Sequence, residues 1–524
     1  MAQKSPRAAV VATKQAPKTS PTPPPSRGSR SSGGPLSSGG LDKFFDITRR
    51  GSSIAQEVRG GLVTFFSMAY IIALNPIIIG TTPDVNGNLI SGLPASDGAN
   101  IGLTMAMVAA ATALIAGILT IVMGVAGRFP VALAAGLGIN AIAAYTLAPR
   151  MEWKSVMGLI VWEGIVITIL VLTGFRQAVF KAVPQSLRTA ISVGIGLFIA
   201  LIGLVDAGFV SKPGGAGTTP LQLGRTGTLL GWPVLVFVVG LILVIFLYVR
   251  RVKGALLIGI IAMTVVAVIV QAIAKIGDSV SNPATGWSLN VPAMKTSDWA
   301  LPNLELLKFW DHVSLTGAFS GGATAAVTAL LTILALMLAD FFDTMGTVVA
   351  IGKTGDLLDA RGNPPHTQAI FLVDSVSAAV GGLGSVSSNT CYIESASGVS
   401  EGARTGFANI ITGAAFLVAM FISPLVNAVP SEAVAPVLVI VGFLMMQQVV
   451  EIEWTDLELA LPAFFIIALM PFSYSITVGI GVGFLVYVLT KIAKGKIREI
   501  KPLLWIIAAL FLIYFLDGVL QKII

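Results

Sequence analysis

From about Gly60 to the C-terminus the chain is a succession of apolar runs, each close to the roughly 20 residues that carry a helix across the hydrocarbon core of a bilayer. Backbone in lipid has no water to bond, so each run must satisfy its own peptide groups as a helix or be buried where other protein does so. Composition agrees: 55% of residues are hydrophobic, 11% are charged, and the mean hydropathy is +0.87. A water-soluble globular chain is excluded, and the lipid bilayer is the expected solvent. The single cysteine, Cys391, rules out a disulfide within the chain, and His312 and His366 both fall in polar stretches. No metal site and no cofactor are expected.

Residues 1–50 hold nine Lys and Arg against Asp42 and Asp46, an excess of seven that equals the net charge of the whole chain. These charges lie in a Pro/Ser/Gly-rich tract rather than on a folded face, so no nucleic acid is expected as a partner. The tract reads as a disordered cytoplasmic tail over 1–41, with a transit peptide as the lesser reading. No apolar signal core precedes Gly60, so the first membrane segment is expected to direct insertion.

Runs fall near 60–80, 101–126, 130–147, 155–173, 186–207, 229–249 and 254–274; after a polar stretch from Asp278 to Ser320 they resume near 323–345, 367–384, 388–400, 405–427, 431–450, 457–471 and 473–491. A further run, 501–521, is left over, and nothing local decides whether it crosses. With the tail inside, the even-numbered connections are cytoplasmic, and they carry Arg128, Arg188, Arg250, Arg251, Lys253, Lys353 and Arg404, together with Arg176, Lys181 and Arg361. The cluster Lys491, Lys494, Lys496 and Arg498 is inside by the same count. Two sets of seven imply inverted repeats, whose binding sites sit where interrupted helices meet at mid-membrane. The third and tenth runs are the short, glycine-rich ones: Pro130-Val-Ala-Leu-Ala-Ala-Gly-Leu-Gly-Ile-Asn140 and Gly381-Gly-Leu-Gly-Ser-Val-Ser-Ser-Asn-Thr-Cys391, the latter leading to Glu394.

A charge near the bilayer centre costs at least ~2.5 kcal/mol, so intramembrane acids are candidates for function. Asp340, Asp343 and Glu394 lead. Asp340 and Asp343, three apart in one run, are expected on one helix face, with the structural role favoured for Asp340. Glu394 follows the broken tenth run, with Asn140 its counterpart in the third. Glu163 and Asp374 are read as structural, and Asp456 as a helix cap. Gly136-Leu-Gly138 lacks the third glycine of a dinucleotide loop, and no phosphate-binding Gly-x4-Gly-Lys-Ser/Thr stretch occurs. No nucleophile–base pair stands out, so the chain does not read as an enzyme.

At these residues the sequence resembles the AzgA-like (azaguanine-resistance type) purine permeases of the nucleobase:cation symporter and nucleobase-ascorbate transporter superfamily. The resemblance runs from Leu41 to the C-terminus through Thr64-Phe-Phe-Ser-Met-Ala-Tyr-Ile-Ile-Ala-Leu-Asn-Pro76, Ala134-Ala-Gly-Leu-Gly-Ile-Asn-Ala141, Ile191-Ser-Val-Gly-Ile-Gly-Leu-Phe198, Asp340-Phe-Phe-Asp-Thr-Met-Gly-Thr347, Tyr392-Ile-Glu-Ser-Ala-Ser-Gly-Val399 and Pro471-Phe-Ser-Tyr-Ser-Ile476. Where the family usually reads Ala-Pro-Gly-Met-Gly and Gly-Thr-Ser, this chain has Ala134-Ala-Gly-Leu-Gly138 and Gly384-Ser-Val386; the departures bear on substrate preference.

The resemblance implies an all-α membrane protein of about fourteen segments in two inverted seven-segment repeats, with extended stretches in segments 3 and 10. It implies a core domain over 42–173 and 321–428, a gate domain over 174–320 (including the long extracytoplasmic loop) and 429–499, and a C-terminal hydrophobic segment over 500–524. It further implies proton-coupled import of guanine, hypoxanthine or adenine across the plasma membrane, with a proton or another cation as coupling ion and a homodimer as an allowed assembly. Asn140, Asp343 and Glu394 would bind substrate, and Asp343 and Glu394 would carry the proton. An anion exchanger or a uracil/xanthine transporter of the same architecture is the alternative.

Overall fold

A computed structural model describes residues 40–173, 183–213, 220–279, 281–293, 301–359 and 363–523. Nearly all of the tail, and Arg176, Lys181 and Arg361 among the expected inside charges, lie outside the described residues. Every one of the fourteen runs is an element. They are α1 (Ile54–Ile79), α2 (Gly98–Gly127), β1 (Leu133–Ala135) with α3 (Leu137–Leu147), α4 (Trp153–Leu172), α5 (Gln185–Asp206), α6 (Trp232–Val249) and α7 (Ala255–Ala274), then α8 (Ala323–Thr354), α9 (Thr367–Leu383), β2 (Asn389–Cys391) with α10 (Ser395–Ser400), α11 (Phe407–Ala428), α12 (Ser431–Glu451), α13 (Leu457–Phe472) and α14 (Ile476–Ala493). Among the described residues, ten helices are long and apolar enough to cross a membrane. The leftover run is also a helix, α15 (Pro502–Ile523), whose Phe511 is fully buried against Gly481 of α14.

Helix α1 starts six residues before its apolar run because Ser53 caps it, accepting from Gln56 N at 3.3 Å. That places the acid Glu57 at 0% exposure, where it accepts from Arg404 N (2.8 Å) and Ala408 N (3.2 Å) at the start of α11. Asp456 caps α13 as expected, accepting from Glu458 N at 3.0 Å.

The two broken segments pair with each other. β1 and β2 form an antiparallel ladder, Leu133 opposite Cys391, Ala134 opposite Thr390 and Ala135 opposite Asn389, with every residue buried. Gly136 N donates to Ser388 O (2.8 Å) and Tyr392 N to Ala132 O (3.0 Å), two bonds related by the ladder's own two-fold. Side chains of neighbouring helices satisfy the groups the short ladder leaves over. Thr120 Oγ1 both accepts from Leu133 N and donates to Leu133 O at 3.0 Å. Asn409 Nδ2 donates to Phe129 O and Val131 O, Ser395 Oγ accepts from Ala132 N, and Asn75 Nδ2 donates to Val386 O. Non-helical backbone is thereby paired at membrane depth, the condition on which such backbone is tolerated there.

Around the ladder the helices pack in two groups. One holds α1, α2, α4, α9, α10 and α11, with α8 against α4; the other holds α5, α6, α7, α12, α13 and α14. Even-numbered connections meet at one end, where Arg50 donates to Arg128 O (2.8 Å) and Arg404 O (3.3 Å), Glu401 pairs with Arg59 (3.0 Å) and Lys253, and Lys491, Lys494 and Lys496 converge on buried Glu458. Odd-numbered connections meet at the other, where Trp153 N donates to Asp84 (3.2 Å), Ser314 N to Lys154 O (2.9 Å) and Ser288 N to Glu432 (2.8 Å). The alternation read from the basic residues is the alternation of the helices.

Helices in lipid gain little from hydrophobicity toward one another, so small residues that let backbones touch decide where they pack. Between α2 and α11 these are Gly117 and Gly413: a Cβ on Gly413 would stand 2.5 Å from Gly117 O and 2.6 Å from Ile121 Cγ1. Gly413→Val should push the helices apart and destabilise the protein by about 1–3 kcal/mol. A lowered thermal midpoint in detergent, followed by fluorescence-detected chromatography, checks this; an unchanged midpoint contradicts it.

Candidate functional site

A cavity of about 1510 Å³ lies between the two groups. Its deep wall is built from both broken segments and the helices they cross: Tyr70 where α1 is interrupted, Gly136 and Gly138 at the β1–α3 junction, Asp343 of α8, Thr390 of β2 and Glu394 between β2 and α10. Its mouth holds Arg251, Lys253, Lys353 and Glu451, all from even-numbered connections or the helix ends beside them. The cavity therefore opens at the end of the bundle that carries the N-terminal residues.

Glu394 and Asp343 are each half-buried, facing this space from different elements. Tyr70 donates its phenol proton to Glu394 Oε1 at 2.5 Å, fixing the carboxylate across the gap between segments 1 and 10. Behind it Ser397 Oγ donates to Glu394 O (2.6 Å) and lies 2.9 Å from Ser67 Oγ, which can donate to it, tying the turn to α1. A carboxylate held this way keeps acceptor capacity toward the cavity, since it offers about four lone-pair sites. Two acids so placed can accept N–H groups along one edge of a neutral, planar ligand.

Asp340 and Asp343 line one small cavity beside Gly136, Gly138 and Thr390, but differ in exposure. Three residues along a helix leave side chains about 60° apart: Asp343 reaches the large cavity as well, while Asp340, at 1% exposure, does not and lies near Glu163 and Asp374. Asn140 is fully buried behind the wall, its Nδ2 donating to Asn75 Oδ1 at 2.7 Å and its Oδ1 without a protein partner. Asn75 in turn bonds Thr112 Oγ1 (2.8 Å), so the asparagines join α3 to α1 and α2. Nor is Asn140 the symmetric counterpart of Glu394: laying Leu133 on Asn389 and Ala135 on Cys391 sends Glu394 to Gly138, which lines the cavity.

Sequence reasoning passed over Tyr70. Its signal was a phenol inside the otherwise apolar Met68-Ala-Tyr-Ile-Ile72, a polar hydroxyl that needs a partner when buried. The partner lies 324 positions away, and no local pattern supplies it.

Residues 55–488 match the Permease family. The chain is 34% identical over 478 residues to the guanine/hypoxanthine permease PbuG of Bacillus subtilis, covering 91% of this chain and 99% of that protein. It is 33% identical over 484 residues to the adenine permease AdeP of Escherichia coli, covering 92% and 97%. Among solved structures it resembles the murine Slc26a9 anion transporter in its inward-facing state (TM-score 0.55, 11% identity, 89% of this chain and 74% of that one) and the transmembrane domain of the cyanobacterium bicarbonate transporter BicA (0.51, 13%, 81% and 96%). At such identities the structures speak for the fold alone.

The position of the mouth is open to a direct check. In a Cys391→Ser background, Ser397→Cys should react with a charged, membrane-impermeant thiol reagent applied from the face that carries the N-terminal residues. Reaction from the opposite face alone would contradict the described opening.

Proposed function

The chain belongs to the Permease family and is a multi-pass membrane transporter, not an enzyme, and from that premise we propose that it imports purine nucleobases together with protons. The observation that carries the reading is the pair Asp343 and Glu394, brought by α8 and the β2–α10 turn to one cavity and braced by Tyr70. The names of its relatives support the same substrate class: guanine/hypoxanthine and adenine permeases. Shared architecture with anion transporters does not extend to their substrates, because two carboxylates facing the site oppose an anion.

A carboxylate accepts bidentately from guanine N1–H and its exocyclic amine, and singly from N1–H of hypoxanthine. Adenine presents N1 as an acceptor beside its amine and pairs with a protonated acid. Occupancy of the same carboxyl group by a proton thus links what is bound to what is coupled. In this reading proton and base bind together at Asp343 and Glu394. Asn140 contributes from behind, holding the β1–α3 junction in place through Asn75. Neutralising the site lets the α1–α4 and α8–α11 group, as core, move past the α5–α7 and α12–α14 group, as gate. With the N-terminus cytoplasmic in the plasma membrane, the cavity is the inward opening.

Purified protein in vesicles should accumulate labelled hypoxanthine or adenine when the outside is acidified. Asp343→Asn, which cannot exchange a proton, should equilibrate the purine without concentrating it, or be inert. Accumulation by Asp343→Asn that still follows the pH gradient would place the coupling proton elsewhere, and wild-type uptake indifferent to the gradient would remove proton coupling altogether.

A further inference from the structure

Behind the wall that carries Asp343, three acids from three helices lie near enough to act on one another electrostatically. Glu163 of α4 meets Asp374 of α9 where those helices are in close contact: a Cβ on Gly164 would stand 2.8 Å from Ala379 Cβ. Asp340 of α8 faces both. Glu163 is 0% exposed, and Asp340 and Asp374 are 1% exposed. Among the described residues, the charged groups turned toward Glu163 and Asp340 are all acidic: each other, Asp374 and, for Asp340, also Asp343. β2 and its approach bring no charge, only the hydroxyls of Ser388 and Thr390 and the thiol of Cys391.

All four carboxyl oxygens of Glu163 and Asp340 are buried without a hydrogen bond. Ser388 lies toward Glu163 and Thr390 toward Asp340, but neither reaches hydrogen-bond geometry with it, and Ser388 Oγ, fully buried, is likewise without a partner. An ionised carboxylate in that setting has neither solvent nor counter-charge, and such a group takes up a proton instead. A metal ion does not fit: no group of three or more His, Cys, Asp and Glu among the described residues converges to hold one.

The cluster is connected to the cavity. Thr390 lines it, Thr390 Oγ1 and Thr344 Oγ1 are 2.6 Å apart, and Thr344 Oγ1 donates to Asp374 Oδ1 at 3.0 Å. We infer that Glu163, Asp340 and Asp374 form a proton-binding site, separate from Asp343 and Glu394, that is loaded from the cavity through Thr390 and Thr344. A proton reaching Thr390 Oγ1 sends that hydroxyl's own proton to Thr344, and the proton of Thr344 passes to Asp374. Each hydroxyl gives one proton and takes one, so neither retains charge. The inference rests on the proton-coupled reading only for the use to which the stored proton is put.

Infrared difference spectra of the full-length protein in vesicles test it without reference to transport. At neutral pH the wild type should show protonated carboxylic acid absorption that shifts in heavy water, and Glu163→Gln and Asp340→Asn should each lose part of that band. Thr344→Val should keep the band and slow its exchange about tenfold, the effect of removing one bridging hydroxyl from the route. A band missing from the wild type, a band intact in both carboxamide variants, or a band abolished by sodium but not by choline would overturn the site. Exchange in Thr344→Val as fast as in the wild type would overturn the route, and decides alone should a carboxamide variant fail to insert. Wild-type uptake that ignores a pH gradient while the band behaves as expected sinks coupling and leaves the proton site standing.

Discussion

Peptide groups that leave helical geometry at membrane depth must find partners in protein, and the antiparallel pairing of Leu133–Ala135 with Asn389–Cys391 is how this chain meets that constraint. Most of what is distinctive in the architecture serves it. Thr120 and Asn409 reach in from α2 and α11 to close the open edge of β1, and Ser395 turns back from the start of α10 to accept from Ala132 N. The gain is that two segment breaks point at one another, so that side chains just past each break converge on one cavity.

Placing acids there is costly, and the chain handles the cost in two ways. Asp343 and Glu394 keep partial access to the cavity, with Tyr70 bonding Glu394. Glu163 and Asp340 are buried without a hydrogen bond, Asp340 beside a small cavity that Asp343 also lines, and the inferred compensation is a bound proton. The hydroxyls of Thr390 and Thr344 stand between the two populations. In the proposed reading, substrate recognition and proton storage lie on neighbouring faces of α8, about 60° apart.

The membrane class, the fourteen runs and the sites of both breaks were legible because hydropathy and glycine clustering are local properties of sequence. Helix alternation followed from basic residues at the even connections, and the ion pairs at Glu401 and Glu458 gather them at one end. What could not be read was long-range. Glu57 lay outside its apolar run, yet it anchors the start of α11. Spacing put Asp340 and Asp343 on one face, and both line one small cavity beside β1 and β2, but only Asp343 also reaches the large one. Asn140 followed a broken segment as Glu394 does, but the ladder register makes Gly138 the equivalent position. That Glu163, Asp340 and Asp374 come near one another depends on the packing of three helices, which no window of sequence contains.

Recognition by Glu394 is the claim on which the functional account turns. Calorimetric titration of the purified protein with hypoxanthine, compared with Glu394→Ala, addresses it most directly. Loss of one charge-assisted hydrogen bond in a dry site removes roughly 1.5–3 kcal/mol, so the account predicts an affinity weakened about ten- to hundredfold with the protein still folded. Equal affinity in the two proteins would contradict it.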